Sequence, residues 1–234
     1  MLSVHDLHAY YGASHVVQGV SFSIERGEAV ALMGRNGVGK TSTLKSIMGL
    51  ETRAEGEVRL EGQALVGMPA HVRATQGLGY VPEERAVFPR MTLEENIRIG
   101  ALVHKRIGVR DCLEAAYAIF PILRERRHQM AGTLSGGQQK MLALARSLAL
   151  QPKLLMVDEP SEGLMPANVE LITQALLEAT RAGLTVLVVD SSFDLLRQLC
   201  SRLFAMDRGA LMGMYRPGDF SGPDELAATI LGQD

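Results

Sequence analysis

Gly34-Arg35-Asn36-Gly37-Val38-Gly39-Lys40-Thr41 follows the spacing G-x-x-x-x-G-K-T without a mismatch. Each element has a chemical purpose. The glycines let the backbone curl so that its N–H groups point at phosphate oxygens, and a helix starting at Thr41 adds its positive end. Lys40 supplies a point charge for the β- and γ-phosphates, and the Thr41 hydroxyl suits Mg²⁺. A chance glycine-rich turn is the competing reading, but the loop lies between an apolar strand pattern and a helix pattern. The stretch therefore predicts a nucleoside triphosphate site formed by Gly34, Asn36, Gly37, Gly39, Lys40, Thr41 and Ser42.

Two further stretches carry chemistry. The apolar run at 154–157 ends in Asp158 and Glu159. Beside a phosphate loop, Asp158 is expected to hold the magnesium, usually through water, and Glu159 to orient or deprotonate an attacking water. On its own such a pair is often just the acidic start of a helix. Upstream, Leu134-Ser135-Gly136-Gly137-Gln138 opens a helix with Met141, Leu142, Leu144, Ala145 and Leu148 at helical spacing. Serine and two glycines at a helix start form either an ordinary N-cap or an anion site of free N–H groups and a hydroxyl.

Three strand-to-loop transitions must position these groups: the strand at 29–33 before the phosphate loop, the strand at 154–157, and "TVLVVDSS", a buried strand at 186–189 that runs into Asp190, Ser191 and Ser192. A helical pattern over 169–181, closed by Gly183, joins the last two into a βαβ unit and implies a parallel sheet. "VSFSIERGE" and "GEVRLEGQAL" read as antiparallel strands with glycine turns. From about 89 to 150 the pattern is mainly helical. The fold class is α/β: a P-loop core with a mainly parallel sheet, an N-terminal antiparallel β subdomain and an inserted helical subdomain. One domain spans 1–234, with 1–88 and 151–234 as the α/β core and about 89–150 as the helical part.

The chain has 234 residues, 47% of them hydrophobic, and a net charge of −2, which argues against nonspecific nucleic-acid binding. The basic cluster at 124–128 reads as a solvated helix face. Cys112 and Cys200 have neither disulfide-framework nor metal-ligand spacing and read as partly buried thiols. The N-terminus has no signal pattern, and no apolar run approaches the roughly 18 residues a membrane span needs. The expected location is cytoplasmic, with membrane attachment only through a partner.

The stretch "TLSGGQQKMLALARSLALQPKLLMVDEP", taken with the phosphate loop, closely resembles the ATP-binding cassette (ABC) ATPases over essentially the whole chain. The resemblance implies ATP and Mg²⁺ as cofactors. It also implies that Leu134 to Gln138 closes over ATP held by a second ATPase subunit, while Tyr11 stacks on adenine. Such stacking is worth roughly 1–3 kcal/mol. Tyr10 is expected in the core. Within the family, Val81-Pro82-Glu83, Phe88-Pro89-Arg90-Met91-Thr92, Gly163-Leu164-Met165-Pro166 and the terminal Leu231-Gly232 look like the LivF-type ATPases of branched-chain amino acid importers. That likeness implies membrane permease partners, with the region around 87–107 forming the groove for a permease helix. Glu83 stands where the family usually has a glutamine that contacts Mg²⁺. It reads as a magnesium contact, since a carboxylate is a hard oxygen ligand, or as a solvated turn residue.

Alignment with the family puts Ser191 where a histidine usually bonds the γ-phosphate. Serine is too short to reach that far and carries no charge, and no histidine follows residue 128. The site of this chain is expected to bind ATP but to turn it over slowly. Two other readings stay open: an ATP-binding regulatory cassette with little catalysis, and an ABC ATPase with no transport role.

Overall fold

The strands that carry the site are apolar on both faces, and the alternation of their side chains divides the protein into two cores. In the computed structural model, which describes residues 1–50, 53–84, 86–104 and 107–231, β3 (Ala29–Met33), β7 (Leu154–Asp158) and β8 (Thr185–Val189) are buried at every position. Val30, Leu32, Leu154, Met156, Leu187 and Val189 face one core. Ala29, Ala31, Met33, Leu155, Val157, Val186 and Val188 face the other. Opposite faces receive alternate residues because the strand period is two.

These strands sit in a six-stranded sheet of order β10-β9-β3-β8-β7-β6, completed by β6 (Leu78–Val81), β9 (Arg202–Asp207) and β10 (Ala210–Tyr215). All neighbours are parallel except β10, which returns antiparallel to β9. A second sheet, antiparallel and four-stranded, covers the first core in the order β2-β1-β4-β5. It consists of β1 (Leu2–Tyr11), β2 (Ser14–Ile24), β4 (Arg53–Leu60) and β5 (Gln63–Ala64). The two stretches expected to be antiparallel strands thus share this sheet, but β1 lies between them.

Two helices pack on the first core: α1 (Lys40–Met48) and α2 (Ala70–Gln76). The other core is closed mainly by α3 (Leu93–His104), α4 (Val109–Ile119), α5 (Ile122–Glu125), α6 (Gly136–Leu148), α7 (Pro166–Arg181), α8 (Phe193–Leu199) and α9 (Pro223–Leu231). Helices α3 to α6 fall between β6 and β7 in the chain. The connection β7–α7–β8 joins neighbouring parallel strands, as the βαβ pattern requires.

Several expectations shift. The helix read at 169–181 begins three residues earlier, because Pro166 sits at the first helical position, where its missing N–H costs nothing. Within the mainly helical stretch at about 89–150, α4 and α5 are separated at Phe120, since the residue before Pro121 is driven out of helical geometry. Tyr10 is not a core residue. Its neighbour Ala9 takes the buried side of β1, so Tyr10 lies on the outer face, stacked on His15 at 4.4 Å. Cys112 and Cys200 are buried free thiols, and burial raises both pKa values. The cluster Arg124 to His128 is exposed, as expected, but straddles the end of α5 and a turn. The terminal Gly232 of the Leu231-Gly232 signature lies outside the described residues.

Candidate active site

Parallel pairing brings the ends of three strands to one edge. Leu32 of β3 and Asp158 of β7 both register with Val189 of β8. The loops that follow therefore leave side by side at the carboxyl ends of the sheet, where open α/β sheets place their ligand crevice. They are the phosphate loop, the Glu159 turn and the Asp190-Ser191-Ser192 loop.

In the phosphate loop Gly34, Gly37 and Gly39 have φ of 149°, 83° and 106°, a region side chains rarely enter. Gly34 is required by space as well as by φ: a Cβ there would meet the Met206 carbonyl oxygen of β9 at 2.3 Å. Arg35, Asn36 and Gly37 are exposed, while Val38 is buried beneath them. Support comes from the β9–β10 turn, where the Gly209 N–H donates to the Val38 carbonyl at 3.0 Å. Arg208 and Gly209, with φ of 43° and 84°, form a tight turn between two strands. The glycine of the "DRGA" stretch carries that signal in the sequence.

Lys40 begins α1 and is buried, with its ammonium donating to the carbonyls of Gly34 at 2.9 Å and Arg35 at 3.1 Å. It also stands 4.0 Å from Glu159 Oε1. The Thr41 hydroxyl donates to Asp158 Oδ1 at 3.0 Å, and the Tyr80 hydroxyl donates to Asp158 Oδ2 at 3.1 Å. Asp158 is 1% exposed. Burial raises its pKa, opposed by the Thr41 and Tyr80 hydrogen bonds and by the charges of Lys45 and Lys40. Ser42 follows in the first turn of α1, half-buried.

Glu159 has φ of 47°, a left-handed conformation that costs a non-glycine residue about 1–2 kcal/mol. Its N–H donates to the Val189 carbonyl at 2.7 Å, and its carbonyl accepts from the Lys140 ammonium of α6. Burial raises the Glu159 carboxyl pKa. Lys40 opposes that rise, while Glu83, Glu162 and Asp158 add to it. Glu83 is exposed on a bend, near enough for its charge to be felt at both Glu159 and Lys140.

Asp190 is buried and clasps two loops, accepting from the Ser161 N–H at 2.9 Å, the Ser161 hydroxyl at 2.6 Å and the Ser192 N–H at 2.7 Å. Ser192 caps α8. Between them Ser191 is exposed. Tyr11 is 37% exposed at the end of β1, beside the turn at Gly12.

At the start of α6 the structure shows the N-cap of the two readings. Ser135 is the N-cap of a capping box, its hydroxyl accepting from the Gln138 N–H while the Gln138 side chain accepts from the Ser135 N–H. The S-x-x-Q spacing carries this signal. Ser135 and Gly136 are exposed, and Leu134 and Gly137 are buried. A Cβ on Gly137 would come 2.3 Å from Asn168 Nδ2 on α7, so this start is packed on the next helix.

The donor set fits a hard divalent cation. Thr41 offers a hydroxyl and Asp158 a carboxylate, 3.0 Å apart. Among the described residues no group of three or more His, Cys, Asp and Glu could hold a metal. Few protein ligands suit Mg²⁺, which completes its shell with water and substrate phosphates.

Comparison with known proteins decides the family. The family model described as "ABC transporter" matches residues 17–162. The chain belongs to the ABC transporter ATP-binding family. It is 37% identical to the high-affinity branched-chain amino acid transport ATP-binding protein BraG of Pseudomonas aeruginosa over 212 residues, 91% of each chain. To the probable branched-chain amino acid transport ATP-binding protein LivF of Archaeoglobus fulgidus it is 35% identical over 210 residues, 89% of each. A solved structure described as the ATP binding subunit of an ABC transporter superposes with a TM-score of 0.83 at 27% identity, covering 98% of this chain and 99% of that one. The chain is thus an ABC transporter ATPase subunit related to the branched-chain amino acid group, and its fold is the ABC cassette fold.

Proposed function

We propose that this subunit drives uptake of branched-chain amino acids or a related small solute, docked on membrane permeases and paired with a second ATPase. Among the described residues no helix is long and apolar enough to cross a membrane, so permeases would supply the path. One observation carries the nucleotide chemistry: Lys40, Thr41, Asp158 and Glu159, far apart in sequence, meet at one sheet edge. In this reading the phosphate loop N–H groups and Lys40 hold the ATP phosphates, with Tyr11 against adenine. Thr41, Asp158 and Glu83 would hold Mg²⁺. When bound, the cation supplies charge neutralisation at the β- and γ-phosphate oxygens. Glu159, made more basic by burial and neighbouring carboxylates, takes the proton of the attacking water. Leu134 to Gln138 serve the ATP of the partner ATPase.

Because Ser191 is short and uncharged, the chain's own site turns over slowly, and its Ser135 helix supports a faster partner site. A cavity of about 440 Å³ lined by Tyr80, Ile107, Arg146, Leu150 and neighbouring residues is the place for a permease helix. Among the described residues of the 87–107 region expected to form that groove, only Ile107 lines this cavity; the rest of its lining comes from 48–80 and 146–153. The reading is tested by copurifying the chain with its permeases and measuring ATP-dependent leucine uptake into proteoliposomes. ATP-dependent uptake that stops when Glu159→Gln is combined with the same change at the partner ATPase's corresponding glutamate supports it. A chain that copurifies with no membrane protein, or a complex that moves solute outward, overturns it.

A further inference from the structure

Lys140 lies on the second turn of α6, five residues after Ser135. Gln139 beside it bonds back to Leu134 within its own helix start, but Lys140 leaves the helix and donates to the Glu159 carbonyl. Glu159 is therefore tied on both sides of its Cα, by its N–H to β8 and by its carbonyl to α6. Those two ties hold a residue whose φ of 47° needs such holding.

The ammonium also stands among four carboxylates, Asp190, Glu83, Glu159 and Glu162, whose charges oppose the effect of its burial. The loop after β8, Asp190-Ser191-Ser192, contributes no cation at this end of the sheet.

We infer that Lys140 is the positioning residue for Glu159, pinning its strained peptide so that the carboxylate faces the phosphate loop. It also makes Glu159 and the Ser135 helix start move as one unit. The carboxylate that serves this chain's ATP and the helix start that serves the partner's ATP are then joined through one hydrogen bond. This inference rests on Glu159 being the base of the proposed reaction.

The test uses the full chain, first with a fluorescent ATP analogue and Mg²⁺. Failure of the wild type to bind would overturn the proposed function itself. Lys140→Met and Lys140→Arg are then compared by amide hydrogen exchange of peptides covering 157–164, which needs no turnover. Lys140→Met is expected to speed exchange there about 10- to 100-fold, the range for loss of a hydrogen bond to a charged group. Analogue affinity should stay unchanged, and Lys140→Arg should restore slow exchange. In the assembled complex kcat should fall with KM unchanged. If Lys140→Met does not fold, Lys140→Gln takes its place. Unchanged exchange at 157–164, or a rise in KM at constant kcat, overturns the assignment.

Discussion

Removing one hydroxyl from Tyr80 tests how the site holds a buried carboxylate. Asp158 is 1% exposed and takes one donor on each oxygen, Thr41 at 3.0 Å and Tyr80 at 3.1 Å. Tyr80→Phe keeps the ring, which packs against the core beneath the antiparallel sheet, and deletes the donor to Oδ2. A buried polar atom left without its partner costs about 1–3 kcal/mol, more when charged. Thr41 still serves the other oxygen, so about 1–2 kcal/mol is expected for the nucleotide-free chain at neutral pH. The pH dependence has a definite sign. Burial raises the Asp158 pKa in the folded state, so its ionised form is penalised there, and stability falls as pH rises from the unfolded value through the folded one. Tyr80→Phe raises the folded value further. Its destabilisation should be full above that value and shrink as pH falls through it and Asp158 protonates. Urea denaturation of both proteins across that range measures the effect. A loss below about 0.5 kcal/mol, or one that grows on acidification, would refute the reasoning.

Gly34→Ala places a methyl 2.3 Å from the Met206 carbonyl, which the loop can relieve only by moving. ATP-analogue affinity should drop at least about 10-fold, while circular dichroism stays native. Glu28 is pushed up by burial, yet hydrogen bonds from Arg202, the Glu25 N–H and Ser201 together hold it at about 2. Its stabilisation is present above the unfolded value of 4.5 and is lost as pH falls toward 2. Glu28→Gln should therefore cost about 1–3 kcal/mol at pH 7, a difference that chemical denaturation shows disappearing in acid. Ser191→His adds a donor at an exposed loop position, and in the assembled complex kcat for ATP should rise about 10-fold or more.

Much of this site could be read from residue order because its parts follow strands that are apolar throughout. The strand at 29–33 agrees residue for residue, and the 154–157 strand gains only Asp158. What sequence could not supply is partnership across elements. Tyr80 lies 78 positions from Asp158 and Lys140 lies 19 from Glu159, and only the sheet register and the placement of α6 bring them together. Lys140 also sits in a helix whose apolar spacing draws attention to its core side. Tyr10 departs from its expected core position for a related reason. A tyrosine pair suggests one buried and one exposed ring, but Ala9 already takes the inward position of β1, and Tyr10 follows it outward.

Calorimetric titration with ATP and Mg²⁺ tests the central claim most directly, comparing the wild-type chain with Lys40→Ala and Glu159→Gln. Wild type and Glu159→Gln should bind with similar affinity, and binding to both should weaken when EDTA replaces Mg²⁺. Lys40→Ala should lose most of its binding. Equal binding by Lys40→Ala and wild type, or no binding by the wild type, would contradict the account.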